Sequence, residues 1–226
     1  HKMSQYPRTS VINTINEIGV IPIFYNGNLE ISSQISESCV GGGLKLLEFT
    51  NRGIHAIEIF SELEKFCASN VSDAILGVGS IIDASTAASY INLGANFIVG
   101  PTTNPEIARL CNKHKITYIP GCLTPTEISH AYELGVEFVK VFPGNSAGGP
   151  GFVKDILGPM PYASIIPTGG VDITKESLAG WFEAGVSAVG MGSKLISSDI
   201  LQNREWKKLE IRSREVLDLV KSIRSK

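Results

Sequence analysis

Eight short apolar runs, each followed by an amphipathic stretch, recur along the 226 residues at intervals of roughly 20 to 30. They fall at 20–24, 45–49, 75–79, 97–100, 118–120, 138–142, 165–168 and 188–191. Such an interval suits a strand plus a crossover helix, so the repeat predicts consecutive βα units on a parallel sheet. Apolar residues at successive positions are what strands buried on both faces require. No linker, low-complexity tract or shift in composition interrupts the series, which predicts one α/β domain over residues 1–226. Eight units point to a (β/α)8 TIM barrel, with a doubly wound open sheet as the alternative. A helix over residues 8–19, capped by Ser10, would stand ahead of the first strand as an extra N-terminal helix.

Helix starts are well marked. Asp83, Asn104 and Thr174 each precede a helical stretch, and Thr124-Pro125-Thr126-Glu127 combines an N-cap, a first-turn proline and a capping-box glutamate. Ala56, Ile59, Phe60, Leu63, Phe66 and Cys67 share one helical face. In the last helix Leu209, Val216, Leu217, Val220 and Ile223 point inward between lysines and arginines.

Composition narrows the function classes. Lys+Arg number 20 against Asp+Glu 22, a net charge of −2, with no basic stripe to hold nucleic acid. No apolar run approaches the roughly 18 residues of a membrane span. His1 and Lys2 read as a cloning scar before a native start at Met3, and no signal-peptide core follows. The four cysteines, Cys39, Cys67, Cys111 and Cys122, form no C-x-x-C pair and read as reduced core thiols of a cytoplasmic protein.

The polar residues that break the apolar runs lie at strand ends, where barrels place their chemistry. Lys140 lies between Phe138 and Phe142 on one face of its strand. A lysine desolvated in this way can present a neutral, nucleophilic amine, the group that Schiff-base chemistry on a ketone needs. The plainer reading has it reach out to solvent or pair with Glu137 or a neighbouring carboxylate. Glu48 lies among apolar neighbours, and a buried carboxyl suits a general acid or base. Arg52 can grip a carboxylate with its guanidinium fork; alternatively Glu48 and Arg52 pair with each other. Gly77-Val78-Gly79-Ser80 offers close backbone approach and a hydroxyl donor. Thr168-Gly169-Gly170 and Gly192-Ser193 follow the last two strands, the place where barrels build a phosphate site from backbone N–H groups. The glycine-rich stretch 143–151 could move near a ligand. His55, His114 and His130 lie in helical contexts, no residues show metal-ligand spacing, and no G-x-S-x-G elbow appears.

Several runs together resemble the 2-keto-3-deoxy-6-phosphogluconate (KDPG) / 4-hydroxy-2-oxoglutarate (KHG) aldolase family. They are Leu47-Glu48-Phe49-Thr50-Asn51-Arg52, Gly77-Val78-Gly79-Ser80, Ile119-Pro120-Gly121, Lys140-Val141-Phe142-Pro143, Pro167-Thr168-Gly169-Gly170 and Gly192-Ser193, in order over nearly the whole chain. The resemblance implies a class I aldolase on a (β/α)8 barrel, assembled as a homotrimer and using neither metal nor other cofactor. It implies Lys140 as the Schiff-base lysine and Glu48 as the general acid/base. Arg52, Gly79 and Ser80 match the site for the substrate carboxylate. Thr168, Gly169, Gly170, Gly192 and Ser193 match the phosphate side, and Pro101 and Phe142 pack around the reacting carbons.

The chain departs from the family pattern in three places. Ser80 replaces a common threonine, Gly100-Pro101-Thr102-Thr103-Asn104 replaces a Ser-Pro-Gly run, and Lys194 has no assigned counterpart. The expected substrate is a small, phosphorylated keto acid, cleaved to pyruvate and glyceraldehyde 3-phosphate. KHG and the galactonate epimer are the rivals within this chemistry. A phosphate-binding barrel of another reaction class, or a non-catalytic sugar-phosphate binder, lies outside it.

Overall fold

The computed structural model describes residues 6–225; the reading of His1, Lys2 and Met3 lies outside the described residues. All eight apolar runs become strands. In chain order the elements are α1 (Arg8–Ile18), β1 (Val20–Phe24), α2 (Leu29–Gly41), β2 (Leu46–Thr50), α3 (Ala56–Asn70), β3 (Ile75–Gly79) and α4 (Ala84–Asn92). They continue with β4 (Phe97–Val99), α5 (Pro105–His114), β5 (Thr117–Ile119), β6 (Gly121–Cys122), α6 (Pro125–Glu133) and β7 (Val139–Val141). The last are α7 (Gly149–Leu157), β8 (Ile165–Pro167), α8 (Lys175–Glu183), β9 (Val189–Met191), α9 (Ser198–Asn203) and α10 (Trp206–Arg224).

Every strand pairing is parallel, in a six-stranded ladder β5-β4-β3-β2-β1-β9 and a three-stranded ladder β6-β7-β8. The fifth apolar run is the one that divides, and Pro120 is where it does so. This residue has no N–H to give, and the chain changes partner across it, pairing with β4 before and with β7 after. Pro120 still contributes its carbonyl, which accepts from Lys140 N–H at 2.8 Å. At the other side Ser187 N–H donates to the Ile165 carbonyl at 2.9 Å, and Thr168 forms a parallel bridge with Gly190. The result is an α/β fold with a curled parallel sheet. Its strands are buried on both faces, and all five residues of β2 are inaccessible or nearly so.

The helices begin where capping chemistry predicts. Asp83 accepts from Thr86 N–H, Asn104 from Glu106 N–H and Thr174 from Ser177 N–H. Thr124 and Glu127 complete a reciprocal capping box. Ser10 is not a cap. The first helix enters a turn earlier from Pro7, whose carbonyl accepts from Val11 N–H, because this start lets Val11, Ile15 and Ile18 bury one stripe. The apolar faces of α3 and α10 are oriented as expected, with Ile59, Phe66 and Ile223 only partly covered. All four cysteines are buried free thiols, and burial pushes Cys39, Cys67 and Cys111 up to about 12.

Arg8 ties α1 to a distant part of the chain. Its guanidinium meets both carboxylate oxygens of Glu137 at 3.0 and 3.1 Å and donates to Asn112 Oδ1 and the Gly135 carbonyl. A forked, half-buried contact of this kind is stronger than an ordinary surface pair. Arg8→Ala is expected to destabilise the fold by about 2 kcal/mol, lowering the melting temperature by about 6 °C. Activity at 25 °C should be unaffected, and calorimetry beside a rate assay checks both.

Candidate active site

Glu48 and Lys140 are the acidic and basic side chains buried in the curled sheet, and neither has an ion-pair partner within 4 Å among the described residues. Glu48 lies on β2, between Ile23 of β1 and Gly77 of β3, and is 3% exposed. Its Oε1 has no hydrogen-bond partner. Burial raises its pKa above the ordinary carboxylate value, opposed by the nearby charges of Lys140 and then Arg52. Gly79 lies directly against this carboxylate, and a Cβ there would occupy the same space. That close approach is the reason for a glycine at the end of β3. Lys140 lies on β7 opposite Gly121 and Ile166 and is 9% exposed. Its Nζ stands 5.0 Å from the centre of the Phe142 ring. The two plainer pairings do not form. Arg8 takes Glu137, and Arg52 comes near Glu48 without forming an ion pair with it.

Two residues further along the chain from Glu48 and Lys140, at Thr50 and Phe142, opens a pocket of about 380 Å³. Arg52, Phe142, Thr168, Gly169, Gly170, Gly192 and Ser193 all line it, which brings together residues that follow four separate strands. Glu48, Lys140, Gly79 and Ser80 are not part of the lining. A second pocket, about 260 Å³, lies on the other flank of Phe142 and takes Pro101, Thr102, Thr103 and Cys122. Phe142 borders both and is 43% exposed.

Gly169 (φ 94°) and Gly170 (φ 77°) are successive left-handed residues, a conformation that side chains resist, and they bend the chain around the pocket rim. Thr168 brings its hydroxyl over Gly190, where again a Cβ would intrude. The glycine-rich stretch after β7 is not loose at its start. Gly144 and Asn145 N–H groups donate to the Thr168 and Gly169 carbonyls at 2.8 and 2.9 Å, which fastens it to the loop after β8. Ser80 has φ 61°, unusual for a residue other than glycine. An unbranched side chain eases that conformation, a physical reason for serine over threonine in this backbone.

Tyr25 and Thr50 also line the pocket and were not singled out from sequence. Signals for both existed, since Tyr25 directly follows β1 and Thr50 shares the face of Glu48 two residues on. Lys194 lines the pocket as well and meets Asp172 at 3.6 Å. Among the described residues no group of three His, Cys, Asp or Glu side chains could hold a metal ion.

A sequence model described as "Aldolase: KDPG and KHG aldolase" matches residues 11–211. The chain belongs to the KDPG and KHG aldolase family. This aldolase is 28% identical over 218 residues to the 2-dehydro-3-deoxy-phosphogluconate aldolase of Haemophilus influenzae, covering 96% of this chain and 99% of that one. It is 26% identical over 213 residues to the KHG/KDPG aldolase of Escherichia coli K12, covering 93% and 96%. Among solved structures it is similar to the KDPG aldolase of Legionella pneumophila, with a TM-score of 0.80, 26% identity, and coverage of 90% and 96%. That structure holds pyruvate, captured at low pH as a covalent carbinolamine intermediate. Members of this family are lyases, and the resemblance noted in the sequence is thereby established.

Proposed function

We propose that this aldolase cleaves KDPG to pyruvate and glyceraldehyde 3-phosphate through a Schiff base on Lys140. The observation that carries the reading is the pair of buried groups without an ion-pair partner, Lys140 and Glu48, each two residues before a lining residue, Phe142 or Thr50, of a pocket that Arg52 and the glycine turns also line. The Lys140 amine attacks the C2 ketone to give a carbinolamine, which loses water to a protonated imine. Glu48 takes the C4 hydroxyl proton through a water, and the C3–C4 electron pair flows into the imine. Glyceraldehyde 3-phosphate leaves and an enamine of pyruvate remains on Lys140. Protonation at C3 and hydrolysis of the imine release pyruvate and restore the amine. The carbinolamine reported for the Legionella relative supports the first covalent step.

In this reading Arg52, with Gly79 and Ser80, binds the substrate carboxylate. Thr168, Gly169, Gly170, Gly192 and Ser193 hold the phosphate, and Pro101 and Phe142 enclose the reacting carbons. Fixing both ends of the substrate supplies the positioning that makes the cleavage unimolecular. The two ladders act as one closed (β/α)8 barrel in a single domain, with α1 as its extra N-terminal helix; the contacts at Pro120 and at Ile165–Ser187 support closure. The protein works in the cytoplasm as a homotrimer. Among the described residues no helix is long and apolar enough to cross a membrane. Assembly would cover exposed apolar side chains such as Ile54 (96%) and Ile82 (61%), which follow β2 and β3.

Steady-state pyruvate release from KDPG, its galactonate epimer and KHG tests the substrate. The highest kcat/KM is expected for KDPG. Preference for either rival would overturn the assignment of the tail, and no release from any of the three would overturn the cleavage itself.

A further inference from the structure

The main pocket has an uneven charge that the family pattern does not account for. Its charged lining residues among the described ones are Arg52 and Lys194, both cations, and no carboxylate lines it. Arg52 comes from the loop after β2 and Lys194 from the turn after β9, two strands separated in the sheet by β1 alone. Lys194 is next to Ser193 and Gly192, on the rim assigned to the phosphate. Its Nζ is 3.6 Å from Asp172 Oδ2, while Asp172 Oδ1 accepts from Ile173 N–H at 2.7 Å. Asp172 is thus held by its own loop, and Lys194 reaches out to it. The two side chains are 62% and 36% exposed. A pair that long and that wet contributes little to stability and opens at small cost.

We propose that Lys194 is a specificity-determining residue that binds the terminal anion of the substrate, and that Asp172 holds it beside the pocket until that anion arrives. The proposal rests on the aldolase reading and adds a selective cation to it. An ammonium has three donors, so a tetrahedral phosphate at the glycine turns can share Lys194 with Asp172 or displace it. A keto acid of the same length with a neutral tail gives Lys194 nothing to bind. Selectivity for the phosphorylated substrate should therefore depend on this side chain, while the reacting end, held by Arg52, does not.

Lys194→Met, Lys194→Arg and Asp172→Asn separate an anion receptor from a mere tie between two loops, because both non-conservative changes break the pair. The first readout is the ratio of kcat/KM for KDPG to that for its unphosphorylated counterpart, 2-keto-3-deoxygluconate. The second is the affinity for inorganic phosphate, titrated by calorimetry. Lys194→Met is expected to lower the ratio and the phosphate affinity about tenfold each, the loss of one charge-assisted contact. Lys194→Arg should retain most of both, and Asp172→Asn should leave both unchanged or raise them. Equal losses in Lys194→Met and Asp172→Asn, or no loss in Lys194→Met, would overturn the proposal. Phosphate titration needs no turnover, so a wild type that binds phosphate but traps no pyruvate on Lys140 would count against the aldolase mechanism while leaving this assignment testable on its own.

Discussion

Lys140→Ala is expected to reduce kcat/KM for cleavage on the order of 10⁴-fold or more, with the fold retained. The size of the effect follows from where the amine stands. It is 9% exposed, beside the Phe142 ring, and makes no ion pair within 4 Å among the described residues. No other lysine of β1 to β9 occupies such a place, so no neighbour can substitute. Removing a buried amine without an ion partner leaves no orphaned carboxylate in contact, and for that reason the melting temperature should change little. Circular dichroism and a coupled pyruvate assay measure the two quantities together. Retained turnover in a folded Lys140→Ala protein would remove the Schiff base from the account and leave a phosphate-binding pocket with different chemistry.

Glu48→Gln separates proton transfer from imine formation. Turnover should fall by about 10² to 10⁴, the usual contribution of a positioned acid or base, while pyruvate still forms its adduct in part. The pH dependence carries the same signature. Burial holds the Glu48 pKa above its ordinary 4.5, so the acid limb of the rate profile should lie above the common carboxylate range. Stability follows with a definite sign. Between 4.5 and the raised folded value, the unfolded chain releases a proton that the folded chain keeps. The stabilisation linked to this carboxyl is therefore complete below pH 4.5 and lost as pH rises through the folded pKa. Glu48→Gln should flatten that slope, so the variant loses activity while gaining relative stability toward neutral pH. A variant whose unfolding profile keeps the wild-type slope would show that the raised pKa belongs elsewhere.

The parts of this fold that were legible in the sequence are those set by neighbours in the chain. Asp83, Asn104, Thr124 and Thr174 announce helices because a cap bonds to an N–H only two or three residues on. Arg52, Thr168, Gly169, Gly170 and Ser193 could be gathered at one rim because parallel strands bring their C-terminal ends to one side. What could not be read depends on distant parts of the chain. Arg8 claims Glu137 across 129 residues, and that contact takes from Lys140 the carboxylate three residues before it in sequence. The burial of Glu48 and Lys140 and the meeting of Lys194 with Asp172 are likewise products of packing. Ser10 misled because a serine near a helix start looks like a cap, whereas the buried stripe of Val11, Ile15 and Ile18 set the entry at Pro7. Tyr25 does not stand out in the sequence, because a tyrosine after an apolar strand reads as more core.

The most direct test of the account is reduction with borohydride in the presence of pyruvate, followed by peptide mass mapping. The account predicts a reduced pyruvyl adduct on Lys140 and on no other lysine, present in Glu48→Gln at lower yield and absent in Lys140→Ala. An adduct on a different lysine, or none in a folded protein that still releases pyruvate, would contradict it.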